Sequence, residues 1–371
     1  NVIVPTIPTT DEKIPYKEKL KLGKLTFEKL LHQHIFNVST KPGYYIYRQT
    51  QGEDEYTGII GAVSIDDCIN KIVKPHEQTL EHKEEKLKEY LKIIDINAEP
   101  VVISYKADHE LNDLIDKLTL QKPYTSFDYP NFGHHELWEV SDPFAIKKVQ
   151  KRFSTMNELY IADGHHRVAS SVLYGEEMRN NNPSGTGKEA YNYFMALLFP
   201  HHQIRLREFN RLVKDLNGNS TEQLLKSLET YFEVIHTKTF PDITDSLYSF
   251  GMYTAGNWYE LVPKNGVIEK LPVDHQLPTQ VLTDLILSPL LEIHDLRKDK
   301  RISFVGGKTD HIFLEGKVNS GEFAAAFAVN KIQIPLFKKF ADNGWFMPPN
   351  STYFEPKLLS GLVVYSLRED L

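Results

Sequence analysis

Asp163, Gly164, His165, His166 and Arg167 follow directly on the apolar run "LYIA". Together they bring a carboxylate, a glycine, two imidazoles and a guanidinium into little more than one turn of chain. Val168, Val172 and Leu173 then recur at spacings that place them on one helical face, so the five residues mark a strand handing over to a helix. Asp163 or Gly164 suits the N-cap. The first N–H groups of a helix and its dipole receive anions, and a glycine lets a ligand come close to the backbone. A phosphate is the expected occupant, with Gly164, His165, His166 and Arg167 binding it, since an arginine can grip a phosphate through two N–H groups at once. Asp163 is expected to cap the helix, to hold a magnesium ion or to orient a neighbouring histidine. The plainer alternative makes Asp163 only a cap and leaves the histidines as polar surface.

A second candidate lies in "KPHEQT". Pro75 disfavours helix before it and Thr79 could cap the helix that follows, so His76 and Glu77 are expected on a loop. A glutamate there could take a proton from a hydroxyl, with His76 beside it to stabilise charge. Solvated loop residues are the competing reading. Zinc is the rival use for the histidines, which also pair at His134-His135 and His201-His202. Adjacent residues point apart on a strand and ~100° apart on a helix, so such pairs seldom share one metal. "HEQTLEH" places Leu80 where a metalloprotease helix needs its second histidine, and "GTGKE" lacks the spacing and hydroxyl of a P-loop.

Secondary ligand-binding candidates lie further on. They are Arg211 in "FNR", Arg301 with Gly306 and Gly307 in "RISFVGG", and Ser351, Thr352 and Lys357 in and after "PPNST". A tight turn after a strand and a rigid proline loop explain these stretches about equally well.

The elements that must carry these groups alternate without a strict strand-helix repeat, which makes mixed α/β the expected class. "GYYIYRQ" and "YTGIIGAVSI" read as a hairpin, and "LEHKEEKLKEYLKII" reads as an exposed amphipathic helix. "PVVISY", "HHELWEV" and "YFMALLF" suit strands, and "SDPFAIKKVQKRF" opens as a helix with Asp142 as N-cap before Pro143. "RNNNPSGTGKEA" should be an exposed loop. "NGNST", residues 217–221, is taken as a boundary between a unit over 1–216, carrying the HE and DGHHR motifs, and a unit over 217–371. In the second unit "EQLLKSLETYF" and "LPTQVLTDLILSPLL" are helical in pattern. "PLFKKFADNG" is expected as the last helix, with Phe337, Phe340 and Ala341 inward and Gly344 at its end.

With 371 residues, 41% of them hydrophobic, the chain can bury a large core in two or three domains of about 100–200 residues. A net charge of -7 argues against a protein that coats nucleic acid. The single cysteine, Cys68, excludes an internal disulfide framework and a four-cysteine zinc site, and it fits a reducing, cytoplasmic setting. No run of ~18 apolar residues is present to span a bilayer.

"YRQ" with "TGIIG", "KPHEQT", "IADGHHR", "FNRLVKDLNG", "RISFVGG" and "MPPNSTYFEPKLLSGL" occur in that order. In this the chain resembles the bacterial family called domain of unknown function 1015, from about Gly43 to Leu371. The "DGHHR" junction is similar to the signature of the partition-protein and sulfiredoxin-like fold, a group that includes free-serine kinases using ADP or ATP. The resemblance implies such a core with additional N- and C-terminal α/β parts, and nucleotide phosphates cradled at the turn with Mg2+. It further implies phosphoryl transfer to a small hydroxylated metabolite, serine first, or the reverse reaction by a phosphatase acting on phosphoserine. A nucleotide-binding regulatory protein without catalysis is the third reading, and a homo-oligomer is compatible with all three. Sulfiredoxin chemistry needs a cysteine at the turn, and none is there.

Overall fold

The structure, a computed structural model, describes residues 14–307 and 310–368. Contacts divide the chain into two units, the first made of residues 1–75, 79–204 and 356–371 and the second of residues 76–78 and 205–355. The division therefore falls at Ile204/Arg205 and not at 216/217. "NGNST" is instead a turn within the second unit that leads into a helix, and its turn formers serve that local bend.

In the first unit the chain forms α1 (Tyr16–His32), the hairpin β1 (Tyr44–Gln51) and β2 (Asp54–Ser64), α2 (Ile65–Ile69), β3 (Val73–Lys74) and α3 (Glu81–Ile94). It continues through β4 (Ile96–Asn97), β5 (Val101–Tyr105), α4 (His109–Thr119), β6 (Thr125–Tyr129), β7 (Gly133–Val140) and α5 (Pro143–Phe153). It then enters β8 (Leu159–Asp163), α6 (His165–Asn181) and β9 (Tyr193–Pro200). Eight strands make one mixed sheet in the order β3-β8-β5-β9-β2-β1-β7-β6. β3 with β8 and β5 with β9 run parallel, and the other neighbours are antiparallel.

Local sequence accounts for much of this. All five residues of β5 are buried, as a strand covered on both faces requires. The Asp142 carboxylate accepts the Ala145 N–H at 2.8 Å and Pro143 opens α5, as the sequence indicates. One core gathers Ile46, Ile103, Tyr105, Trp138, Ile161 and Phe194, and a separate cluster joins Leu20 and Phe27 of α1 to Tyr90, Leu91 and Tyr174.

α6 is less regular in its chemistry than Val168, Val172 and Leu173 imply. It buries His165, Val168, Ser170, Ser171, Tyr174 and Gly175, so much of its inner face is small or polar. A Cβ on Gly175 would stand 2.4 Å from Cδ1 of Ile65 and 2.7 Å from the Tyr191 carbonyl oxygen, so only glycine permits this approach. The helix also runs on to Asn181, taking in the first residues of the expected loop.

The second unit carries β10 (Arg205–Arg207), β11 (Phe209–Val213), α7 (Thr221–Leu228), β12 (Phe232–Thr237), β13 (Phe250–Thr254) and β14 (Asn257–Pro263). α8 (Pro278–Leu282), β15 (Ile302–Gly306), α9 (His311–Asn319), β16 (Ala325–Val329), α10 (Ile334–Asp342) and β17 (Tyr353–Glu355) follow. Its antiparallel sheet has the order β12-β14-β13-β16-β11-β15, and β10 pairs with β17 separately. A complete capping box at Ser220 and Gln223 starts α7. The "LPTQVLTDLILSPLL" helix is split, because a π-helical stretch over Thr283–Leu287 takes over from α8. Phe337, Phe340 and Ala341 of α10 are buried and Gly344 has a φ of 67°, as the pattern of that segment requires. Both units are mixtures of sheet and helix, which is the class expected. Among the described residues no helix is long and apolar enough to cross a membrane.

Candidate functional site in the first unit

The junction of β8 and α6 is built on Gly164. Its φ of 97° and ψ of 29° are left-handed, it occupies the N-cap, and no side chain caps the helix there. Asp163, the other candidate cap, is the last residue of β8 and has turned to different partners. It pairs with Val102 just where the β5–β8 register shifts, and such an irregularity re-aims the side chains beside it.

Arg167 closes over this turn. Its Nη2 donates to Oδ2 of Asp163 at 2.7 Å, and its Nη1 donates to the Pro100 carbonyl at 2.6 Å and pairs with Oε1 of Glu99 at 2.9 Å. The guanidinium lies so close to Gly164 that a Cβ there would meet Nε at 2.8 Å. Oδ1 of Asp163 faces Nζ of Lys357 at 3.4 Å. Arg167 is thus committed to two carboxylates and a carbonyl, where the sequence suggested a direct grip on phosphate. Lys357, one of the secondary candidates, is brought to the turn. Nothing in the local sequence points to Glu99 or Pro100, which sit far back in the chain.

The two imidazoles divide their work. His165 is buried, and its pKa is lowered to about 4. Burial is the main cause, with Asp163 pulling the other way and His166 and Arg167 adding to the depression. His166 is half-buried, and its Nε2 accepts the backbone N–H of Leu80 at 3.1 Å. This completes the start of α3, whose N-cap is Leu80 rather than Thr79 and has no side-chain cap. Burial first, then the cation of Lys83, lowers the pKa of His166. Both rings are neutral near pH 7, and accepting through Nε2 fixes the proton of His166 on Nδ1.

The donors present suit a phosphate: an amide-rich first turn without a side-chain cap, a left-handed glycine and the ammonium of Lys357. They do not suit Mg2+ on Asp163. Its two oxygens accept from Arg167 and face Lys357, so a metal ion would have to displace two cations.

The remaining sequence candidates belong to the second unit. His76 is buried there, its ring 4.6 Å from that of Phe337 and 5.8 Å from that of Phe354, with Nε2 at 3.1 Å from the Thr352 hydroxyl. Glu77 forms a bridge with Met347. Arg211 is fully buried, donates to the carbonyls of Phe209 and Asn350 and lies over the Phe304 ring. Burial alone brings its pKa down to about 9, which keeps it charged at neutral pH. Arg301 is held by Asp299 at 2.8 Å and by the carbonyls of Leu291 and Glu292, as a brace between turns. Gly306 and Gly307 lie against the Tyr353 ring, where a Cβ on Gly306 would come within 2.4 Å. The paired histidines point apart as expected: His134 meets Asp128 at 3.0 Å on an exposed face, and His135 is buried against Tyr47.

A family model described as "Protein of unknown function (DUF1015)" matches residues 1–282. No curated protein matches the chain. Among solved structures, a conserved hypothetical protein from Pyrococcus furiosus is similar at 13% identity and a TM-score of 0.40, covering 84% of this chain and 97% of that one. A free serine kinase in complex with AMP is similar at 12% identity and a TM-score of 0.40, covering 86% and 90%. SbnI from Staphylococcus aureus, truncated at its C-terminus, is similar at 10% identity and a TM-score of 0.43, covering 80% and 82%.

Proposed function

We propose that this chain, which belongs to the DUF1015 family of proteins of unknown function, binds the phosphates of ADP or ATP at the start of α6 and transfers a phosphoryl group to a small hydroxylated metabolite, serine being the first to test. One observation carries the reading. α6 begins at a left-handed glycine with no side chain capping it, directly after a strand, so the positive end of a 17-residue helix is left for a ligand to complete. Lys357 supplies a positive charge beside it, and the neutral Nδ1–H of His166 is a further donor. Arg167 acts in this reading chiefly by holding Asp163 and the turn, and phosphate takes the amides. Catalysis of this kind is mostly positioning and charge neutralisation. The general-base role given to Glu77 belongs to the same proposal and rests on its chemistry.

Calorimetry with ADP and ATP tests the binding step. Lys357→Ala should weaken the nucleotide at least tenfold, and an unchanged affinity removes the turn from the nucleotide site. Glu77→Gln should retain affinity and lose turnover of serine. Nucleotide consumption and phosphate release, measured side by side, separate a kinase from a phosphatase, and binding without either reaction would leave a regulatory protein.

A further inference from the structure

β11 turns alternate residues to opposite faces of the second unit's sheet. Arg211 lies over the Phe304 ring on one face, and Asn210 and Leu212 look to the other, where Leu212, Ile243, Leu314 and Ala328 form a core. Asn210 is thus an amide at a core position, only 3% exposed. Its Oδ1 accepts the Val329 N–H at 3.0 Å, which fixes the carbonyl end and leaves Nδ2 with two N–H donors and no partner among the described residues. Those donors are not sealed in. Among the described residues the unpaired side-chain atoms closed off from accessible space are the Tyr90 and Tyr105 hydroxyls, Nε2 of His135 and Nε of Arg211, and Nδ2 of Asn210 is not one of them. The open space beside Asn210 is a cavity of about 330 Å3, walled by Ile243, Leu314 and Val329. A buried N–H group is rarely left unmet in a native protein, so the pair of donors marks the place of a ligand oxygen. The rim adds two charges. Glu208 and Lys331 stand there, and neither has an ion-pair partner among the described residues. Asp310, also at the rim, is already engaged: its Oδ1 caps α9 by accepting the Ile312 N–H at 3.1 Å and meets Nδ1 of His311 at 2.9 Å.

We infer that this cavity binds a free α-amino acid with an apolar side chain. The ligand carboxylate accepts from the Asn210 amide and pairs with Lys331, its ammonium pairs with Glu208, and its side chain lies against Ile243, Leu314 and Val329. Charge selects this class. A plain anion would leave Glu208 opposing it, and a plain cation would leave Asn210 and Lys331 unmet. A zwitterion satisfies all three. Size agrees, since an apolar cavity of about 150 Å3 takes benzene and pockets for small ligands begin at about 300 Å3. The site uses residues of the second unit alone. It stands independently of the phosphate reading, and its test involves no nucleotide.

L-Leucine, isocaproate and isoamylamine share one branched apolar body and carry both charged groups, the carboxylate alone and the ammonium alone. Titrated into the full chain by calorimetry and ligand-observed NMR, leucine should bind saturably in the millimolar range or tighter, and each analogue at least fivefold more weakly. Asn210→Asp keeps the acceptor for the Val329 N–H and replaces the two donors with a negative charge. It should weaken leucine at least tenfold and preserve the circular dichroism of the fold. Glu208→Gln, at the rim, should weaken leucine at least threefold and isocaproate not at all. No saturable binding of leucine to the parent protein, an analogue that binds as tightly as leucine, or equal leucine affinity in Asn210→Asp overturns the assignment. Should Asn210→Asp fail to fold, Glu208→Gln decides, and undiminished leucine affinity there also overturns it.

Discussion

Arg167 reaches back across the left-handed Gly164 to Asp163, Nη2 to Oδ2 at 2.7 Å, and in the same conformation holds Glu99 at 2.9 Å and the Pro100 carbonyl at 2.6 Å. The residue that looked like a phosphate grip therefore stitches the β8–α6 turn to the segment entering β5. A planar fork serves several acceptors in fixed directions, and an ammonium cannot. Arg167→Lys should cost about 1–2 kcal/mol in urea denaturation, a value kept low because Asp163 and Glu99 are each about two-fifths exposed. A variant as stable as the parent would show that the stitch carries no stability.

Gly164 contributes through its backbone. At φ 97° any other residue is strained, and a Cβ would also push on the Arg167 guanidinium at 2.8 Å. Gly164→Ala should lose about 1–2 kcal/mol by the same measurement. Removing the guanidinium as well, in Gly164→Ala with Arg167→Ala, should relieve the crowding and leave the backbone cost. The double variant should then lose less than the sum of the two single losses, and strict additivity would count against the contact.

How much of this could be read from letters depends on how local the cause is. α5 was legible because Asp142 and Pro143 sit at its own start, and α10 because Phe337, Phe340 and Ala341 mark its own buried face. α1 escaped notice because lysines crowd it and only Leu20, Gly23 and Phe27 are buried. The inner face of α6 was misjudged for a related reason, since it is built from Ser170, Ser171 and Gly175. The Asp-Gly-His-His-Arg turn was found where the sequence placed it, yet the partners of its side chains were not legible. Glu99, Pro100, Leu80 and Lys357 arrive from other parts of the chain, and only the sheet order that sets β5 beside β8 brings Pro100 within reach.

His165 makes the fold acid-sensitive. Its pKa in the folded chain is about 4 against an ordinary value of 6.5, so between these limits the unfolded chain binds the extra proton. Its contribution is complete above pH 6.5 and is lost as pH falls toward 4, amounting to about 3 kcal/mol over the whole window. Denaturation at a series of pH values should show this slope in the parent and lose most of it in His165→Gln. Equal slopes in the two proteins would mean that other groups carry the acid response.

His166 links two helices through one proton. Its Nε2 accepts the Leu80 N–H at 3.1 Å, an arrangement open only to the neutral ring protonated on Nδ1. Burial and Lys83 hold its pKa below 6.5, so the bond persists into mild acid and breaks as pH falls through the depressed value. Hydrogen exchange at Leu80, expressed as a protection factor to remove the intrinsic pH dependence, should fall across that transition. His166→Ala should lower it at every pH, because no side chain caps the start of α3 in its place. The nitrogen resonances of the His166 ring give an independent reading of the tautomer, with Nε2 unprotonated at pH 7. A protonated Nε2, or a Leu80 amide equally protected in parent and variant, would break the connection between the DGHHR turn and α3.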